Sequence, residues 1–417
     1  MPREVSFLSV ARGLPLRLTA SRSCTVDGVS SGHWPGSRSP AHRPRRKNLD
    51  PSKYVARPCK TPNSILNKNN PMKEPIKIFI TFRLAPELIK KVKTADPRVE
   101  IIYEPEILGK LRYPNDQHGA HIERTPKQEL RWLENLSNAE IIFGYLNRQY
   151  ASIIKELAPK LRWIQSPSAG IGQSAKRTGL TGTDIILTTS SGMHATPLAE
   201  FCLMAMLMHI KDYAYMAREK AAHHWARTST TELRTKTLAV VGLGRVGREV
   251  ARLGQCLGMR VIGTKRHIEG VAPATVNVEK LHPWTNLHPM LGEADYVVLI
   301  CPHTEETQGL IGEAELIAMK EGSMLINIAR GSVVDEPALI RALQSGHLGG
   351  LASDVFWKEP LPPESPFWDM PNVIISPHSA STADTENSKL TEIFVDNIHR
   401  YIDGKPMQNL LDKDALY

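Results

Sequence analysis

Several things are scarce in this chain, and each scarcity removes a class of protein. Only five cysteines occur in 417 residues, at Cys24, Cys59, Cys202, Cys256 and Cys301. An odd number, widely spaced and without a CxxC pair, argues against a disulfide framework or a zinc site and reads as free thiols in a reducing compartment. Aromatic residues make up 6%, and nowhere in the body do they alternate with basic residues as in a single-strand nucleic-acid binder. No apolar run approaches the ~18 to 20 residues that span a bilayer. The richest, "FCLMAMLMHI", stops at Lys211 and Asp212 and reads as a buried helix. His223 and His224 are adjacent, so they do not share a helical face, and no spacing points to a metal.

Charge is absent where it would matter for partners. The formal charge is +9, yet residues 1–71 carry 13 Lys and Arg against 3 Asp and Glu, which leaves about −1 for residues 72–417. A nearly neutral body is expected to have neither a nucleic-acid nor a membrane partner. Residues 1–74 are rich in Arg, Ser and Pro and lack periodic apolar pattern, so no packed fold is expected there. The stretch reads either as an organellar address, with prolines that break the required amphipathic helix, or as an extension ahead of a start at Met72. The second reading makes the protein cytoplasmic.

From Ile76 the pattern changes. "IKIFIT", "VEIIYE", "AEIIFGYL" and "LRWIQSPS" are short buried strands alternating with helical segments, the mark of a parallel α/β sheet. "TPLAEFCLMAMLMHIKDYAYMAREKAAHHW" predicts one long helix with Thr196 as N-cap and Pro197 at its first position. A second series follows: "TLAVVG", "RVIGT", "YVVLIC", "SMLINIA", "LASDVF" and "NVIISP", six strands that suit a doubly wound nucleotide-binding domain. The last helix, "SKLTEIFVDNIHRYIDG", places Leu390, Ile393, Phe394 and Ile398 on one face, suited to packing back on the first domain.

Gly242, Gly244 and Gly247 form G-x-G-x-x-G directly after a strand and at the start of a helix, with Arg245 and Val246 inside the motif. That context is the fingerprint of a dinucleotide pyrophosphate held on helix N–H groups. The second strand of the series ends at Thr264, Lys265 and Arg266, where an NAD site carries an acid for the ribose hydroxyls. Two cations there attract a 2′-phosphate and predict a preference for NADPH over NADH. Pro302, just past another strand, is expected to border the cofactor.

Arg330 in "NIARGSVVDE", Glu359 in "SDVFWKEPLP" and His378 in "ISPHSA" each follow a predicted strand, where loops of an open sheet gather at the ligand crevice. Singly, each suits an ordinary structural role. Together they form a machine: histidine exchanges a proton near neutral pH, a carboxylate fixes its tautomer, and an arginine fork holds a carboxylate or ketone oxygen. With a nicotinamide, that set reduces a 2-oxo acid by hydride transfer.

From about Ile76 onward the chain resembles the D-isomer-specific 2-hydroxyacid dehydrogenases, the family of glyoxylate and hydroxypyruvate reductases and phosphoglycerate dehydrogenase. The matching text, in the family's order, is "VGLGRVG", "CPHTEETQGLI", "LINIARGSVVDEPALIRAL", "SDVFWKEPLP", "NVIISPHSA" and "DNIHRYIDGKP". The resemblance implies two doubly wound parallel-sheet domains, a Rossmann domain (189–377) inserted in a flavodoxin-like substrate domain (75–188 and 378–417), assembled as a homodimer. It implies Arg330 as substrate anchor, His378 as acid and base, and Glu359 as the partner of His378. Asp354 would contact the nicotinamide carboxamide, and the backbone at Ala169 and Gly170 the substrate carboxylate. Two positions depart from the pattern: Gly172, where many members have Asp, and Trp357, where many have an acid. A formate dehydrogenase is disfavoured, because that branch carries Gln where Glu359 stands. The rival is a dinucleotide-sensing interaction protein on the same fold, as in the related corepressors.

Overall fold

Two parallel sheets organise the molecule, seen in a computed structural model that describes residues 75–417 except 118 and 147. The expected unpacked extension over 1–74, with Cys24 and Cys59, lies outside the described residues. The first sheet holds β1 (Ile76–Ile80), β2 (Val99–Ile102), β3 (Ile141–Phe143), β4 (Trp163–Gln165) and β5 (Ile186–Thr188), in the order β2-β1-β3-β4-β5. The second holds β6 (Thr237–Val241), β7 (Arg260–Lys265), β8 (Lys280–Pro283), β9 (Tyr296–Leu299), β10 (Ser323–Asn327), β11 (Leu348–Ser353) and β12 (Val373–Ile375). Its order is β12-β11-β10-β9-β6-β7-β8. Both are doubly wound, and in both the order reverses beside the first strand, which opens a crevice at the carboxyl ends of the strands.

The apolar runs became strands because both faces of each sheet are covered. Leu238, Ala239 and Val240 of β6 and Val297, Val298 and Leu299 of β9 have no exposed surface, as a parallel sheet between helices requires. Two strands lie outside the expected runs: β5, at one edge of the first sheet, and β8, "KLHP", at the edge of the second with only His282 buried.

The long helix is two helices. Ala195–Ile210 is capped by His194 rather than Thr196, and Pro197 falls third. The His194 ring is engaged by Glu386, Nε2 to Oε1 at 2.8 Å. Asp212 then adopts a left-handed φ of 49°, and its carboxylate accepts the Tyr215 N–H, starting a new helix over Tyr213–Ala221. A side chain that caps a new helix is a stop signal the apolar spacing does not contain.

The helix Glu386–Ile402 returns to the first sheet, burying Leu390, Phe394 and Ile398 against Ile76, Ile78, Ile80, Phe143 and Trp163. Ile393 packs there only partly buried. Each fully buried side chain contributes roughly 1.5 to 3 kcal/mol. All described residues belong to one compact unit. No described helix is long and apolar enough to cross a membrane.

Candidate active site

The nucleotide end is built first by backbone. After β6, Gly242 turns with φ 111°, and a Cβ there would lie 2.8 Å from the Cys301 nitrogen, so only glycine fits between the loop and the strand next door. The Gly242 and Leu243 N–H groups both donate to the Thr264 carbonyl, at 3.0 and 3.2 Å. Gly244 caps the helix Arg245–Cys256, and nothing lies within 4 Å of a Cβ built on it. Open space before free helix N–H groups is the cradle a pyrophosphate needs, so the residues present fit a dinucleotide. Gly247 packs the helix against the Gly242 carbonyl, with no room for a Cβ.

The other nucleotide-end candidates divide. Val246 packs on the core of the second sheet, and the Arg245 guanidinium donates to the Ser191 carbonyl and to Asn409 Oδ1, both at 2.7 Å. Each of the two therefore offers the loop its backbone, not its side chain. Thr264 is buried, and its hydroxyl has no hydrogen-bond partner among the described residues. Lys265 closes β7 opposite Pro283, its side chain in no ion pair among the described residues, whereas Arg266 is held by Glu306 at 2.8 Å and Tyr417 at 3.3 Å. Pro302 follows Cys301 beside the Gly242 turn, its carbonyl accepting from the Thr307 hydroxyl.

The loops after β10, β11 and β12 bring Arg330, Glu359 and His378 to one edge of the crevice. His378 Nδ1 lies 2.8 Å from Glu359 Oε2, while Glu359 Oε1 accepts the Phe356 N–H at 3.1 Å. The carboxylate thus fixes the proton on Nδ1 and leaves Nε2 for a ligand. The Glu359 hydrogen bond and charge hold His378 above the ordinary histidine value, against burial and the Arg330 charge. Burial pushes Glu359 up, but hydrogen bonds from His378 and the Phe356 N–H, with the charges of His378 and Arg330, outweigh it and leave the carboxyl below its usual range.

Arg330 donates to its neighbour's carbonyl at Ala329, 2.6 Å away, and its other terminal nitrogen, Nη2, occupies the space where a Gly170 Cβ would be. The guanidinium therefore rests directly against Gly170 in the first sheet's loop. Burial pushes Arg330 down from the arginine value, opposed by Glu359 and Asp354.

Asp354 is 4% exposed and organises the histidine loop. Its Oδ1 accepts from the Ser376 hydroxyl at 2.6 Å and from the Ser379 and Ala380 N–H groups at 2.8 and 2.9 Å. His378, with a left-handed φ of 55°, donates its own N–H to the Asp354 carbonyl at 3.0 Å. The strained backbone is held by four bonds to one residue.

Similarity to known proteins points to the same chemistry. A family model described as D-isomer specific 2-hydroxyacid dehydrogenase, NAD binding domain, matches residues 203–380. Glyoxylate/hydroxypyruvate reductase B of Klebsiella pneumoniae subsp. pneumoniae is 30% identical over 299 residues, covering 69% of this chain and 89% of that one. This chain belongs to the D-isomer specific 2-hydroxyacid dehydrogenases. It is an NAD(P)-dependent oxidoreductase of 2-hydroxyacids. Two solved structures, each 26% identical with a TM-score of 0.66, cover 82% of it: a family member from Xanthobacter autotrophicus in complex with NADPH and MES, and an NADPH-dependent glyoxylate/hydroxypyruvate reductase from Sinorhizobium meliloti in complex with NADP and sulfate. They are themselves covered over 100% and 99% of their lengths.

Several groups of this dehydrogenase's crevice escape sequence reasoning. Ser168 Oγ and Tyr145 Oη lie 2.7 Å apart at the start of the Ala169–Gly170 loop, and burial raises Tyr145 above the ordinary phenol range. His194 and Glu386 join the starts of two helices, one packed on each sheet. Trp357, singled out in the sequence as standing where an acid is common, donates its indole N–H to the Val334 carbonyl at 2.7 Å, a role the sequence did not suggest. These pairs are distant in sequence, and only a shared local pattern would have flagged them.

Proposed function

We propose that this dehydrogenase works as a reductase of a small 2-oxo acid of the glyoxylate or hydroxypyruvate type, and that it prefers NADPH. The observation that carries the reading is the Arg330 guanidinium lying against Gly170, with the His378–Glu359 pair electrostatically coupled to it.

Arg330 and the loop N–H groups bind the substrate carboxylate, and an arginine fork has donors left for the 2-oxo oxygen. His378 Nε2 gives that oxygen a proton as C2 is reduced to the alcohol, and Glu359 stabilises the imidazolium before transfer. When bound, the nicotinamide supplies the hydride that C2 takes up. Gly242, Gly244 and Gly247 with the backbone of Arg245 and Val246 would hold its pyrophosphate. Thr264, Lys265 and Arg266 would border the adenosine ribose, Pro302 the crevice wall, and Asp354 the carboxamide while it shapes the histidine loop.

The NADPH preference rests on Lys265, whose side chain has no ion-pair partner among the described residues, and on Arg266, although Glu306 competes for the latter. The exposed apolar side chains Met204, Leu207, Tyr213, Met216 and Trp225, the last 94% exposed, support a homodimer. The near-neutral body supports a protein without a nucleic-acid partner. The interaction-protein alternative is not favoured, since the relatives are oxidoreductases. A cytoplasmic location goes with a start at Met72, and a reporter fused to residues 1–71 separates this from an organellar address. Assaying a panel of 2-oxo acids with NADPH and NADH tests the whole reading. Turnover of glyoxylate or hydroxypyruvate, faster with NADPH, is expected; no turnover of any of them would overturn it.

A further inference from the structure

The last residues of the chain reach across the crevice to the nucleotide end. Asp412–Tyr417 form a tight turn: the Leu416 N–H donates to the Asp412 carbonyl at 2.7 Å and the Asp412 N–H to the Tyr417 carbonyl at 3.2 Å. Asp412 Oδ1 accepts the Asp414 and Ala415 N–H groups at 2.9 and 2.8 Å. Lys413 Nζ ties the turn to the first sheet through the Thr183 and Ile185 carbonyls, at 2.7 and 2.8 Å, and Leu411 is buried beneath it.

This turn accounts for Gly172. The Leu416 carbonyl oxygen occupies the space a Cβ of residue 172 would need, so an Asp there would expel the turn. Seated on Gly172, the turn delivers Tyr417 to Arg266, whose Nη1 donates to the Tyr417 hydroxyl oxygen at 3.3 Å. The other arm of the same fork, Nη2, is ion-paired with Glu306 at 2.8 Å. Because Tyr417 accepts from Arg266, its own O–H remains to be donated.

We propose that Tyr417 and Glu306 set the cofactor specificity of this enzyme: Tyr417 donates to the ribose 2′-phosphate and steadies the Arg266 fork, while Glu306 competes with that phosphate for the fork. A neutral 2′-hydroxyl does not draw Arg266 from a carboxylate, whereas a phosphate, with about two negative charges and strong acceptor oxygens, does. The proposal rests on the reading that Lys265 and Arg266 favour NADPH. It adds that the 2′-phosphate is read from both lobes, by β7 and by a turn anchored on the first sheet.

The test is the dissociation constant of NADP⁺ and of NAD⁺ for the full chain, by calorimetry without substrate, with 2′-AMP and 5′-AMP as probes of the phosphate alone. Tyr417→Phe should weaken NADP⁺ and 2′-AMP by roughly two- to tenfold, the range for one hydrogen bond, and leave NAD⁺ and 5′-AMP unchanged. Glu306→Gln should tighten NADP⁺ while sparing NAD⁺. Gly172→Ala, which must displace Leu416, should reproduce Tyr417→Phe. An unmoved NADP⁺ to NAD⁺ ratio in Tyr417→Phe, with the preference lost in Arg266→Ala, overturns the role of Tyr417 and leaves the Lys265–Arg266 reading intact. A wild-type chain that binds NAD⁺ more tightly overturns both.

Discussion

The two ends of the crevice are built on different terms. At the reacting end, Arg330, Glu359 and His378 come from loops after neighbouring strands of one sheet, and short bonds fix each of them: Glu359 to Phe356 and His378, Asp354 to the whole histidine loop. At the adenosine end, Arg266 is shared between Glu306 of its own lobe and Tyr417 from the other. A group that must move a proton is pre-organised by rigid neighbours. A group that must tell a phosphate from a hydroxyl is left exchangeable, because discrimination is a difference between two affinities.

Breaking the rigid end should have the largest effect. His378→Gln keeps a polar side chain but removes the proton donor, so kcat for reduction should fall by about 10² to 10⁴, with the dissociation constant of NADPH unchanged. Steady-state kinetics beside a binding titration checks this, and a variant within threefold of wild type would remove His378 from the chemistry. Arg330→Lys keeps the charge but loses the fork against Gly170. One charge-assisted bond is worth roughly 1.5 to 3 kcal/mol, so kcat/KM for the 2-oxo acid should drop about ten- to a hundredfold.

At the exchangeable end, Lys265→Asp combined with Arg266→Ala should change the NADPH to NADH ratio of kcat/KM by a similar ten- to hundredfold while leaving kcat at saturating cofactor near wild type. An unmoved ratio would mean that these cations are only solvated surface.

The smallest change sharpens the comparison through pH. His378 is held above the ordinary histidine value of about 6.5 by Glu359, so its protonated form, required for reduction, persists past that pH and is lost as pH rises through the raised value. Glu359→Gln removes the charge that raises it. The alkaline limb of reduction should move to lower pH, with part of the activity retained; an unshifted limb would show that Glu359 does not set the protonation of His378.

How much was legible differs between these ends for the same reason. The glycine loop announces itself because its chemistry lies within six residues, Gly242 to Gly247, and the strands before and after it are apolar runs. Arg330, Glu359 and His378 could be found because each follows a strand, and a parallel sheet puts all such loops on one side. β8 was invisible because an edge strand needs few apolar residues, and the break at Asp212 because its left-handed backbone and cap form only once the next helix begins.

By itself the sequence determined the alternation of strands and helices, the phosphate loop and the residue types for acid-base chemistry, since hydrophobic period and glycine placement are local properties of the chain. Only the tertiary structure decided that Gly170 makes room for Arg330, that Gly172 makes room for Leu416, that Arg245 spends its side chain on Ser191 and Asn409, and that Arg266 faces Glu306 and Tyr417. Those are contacts between segments far apart in the chain, and close packing, not pattern, chooses which of them meet.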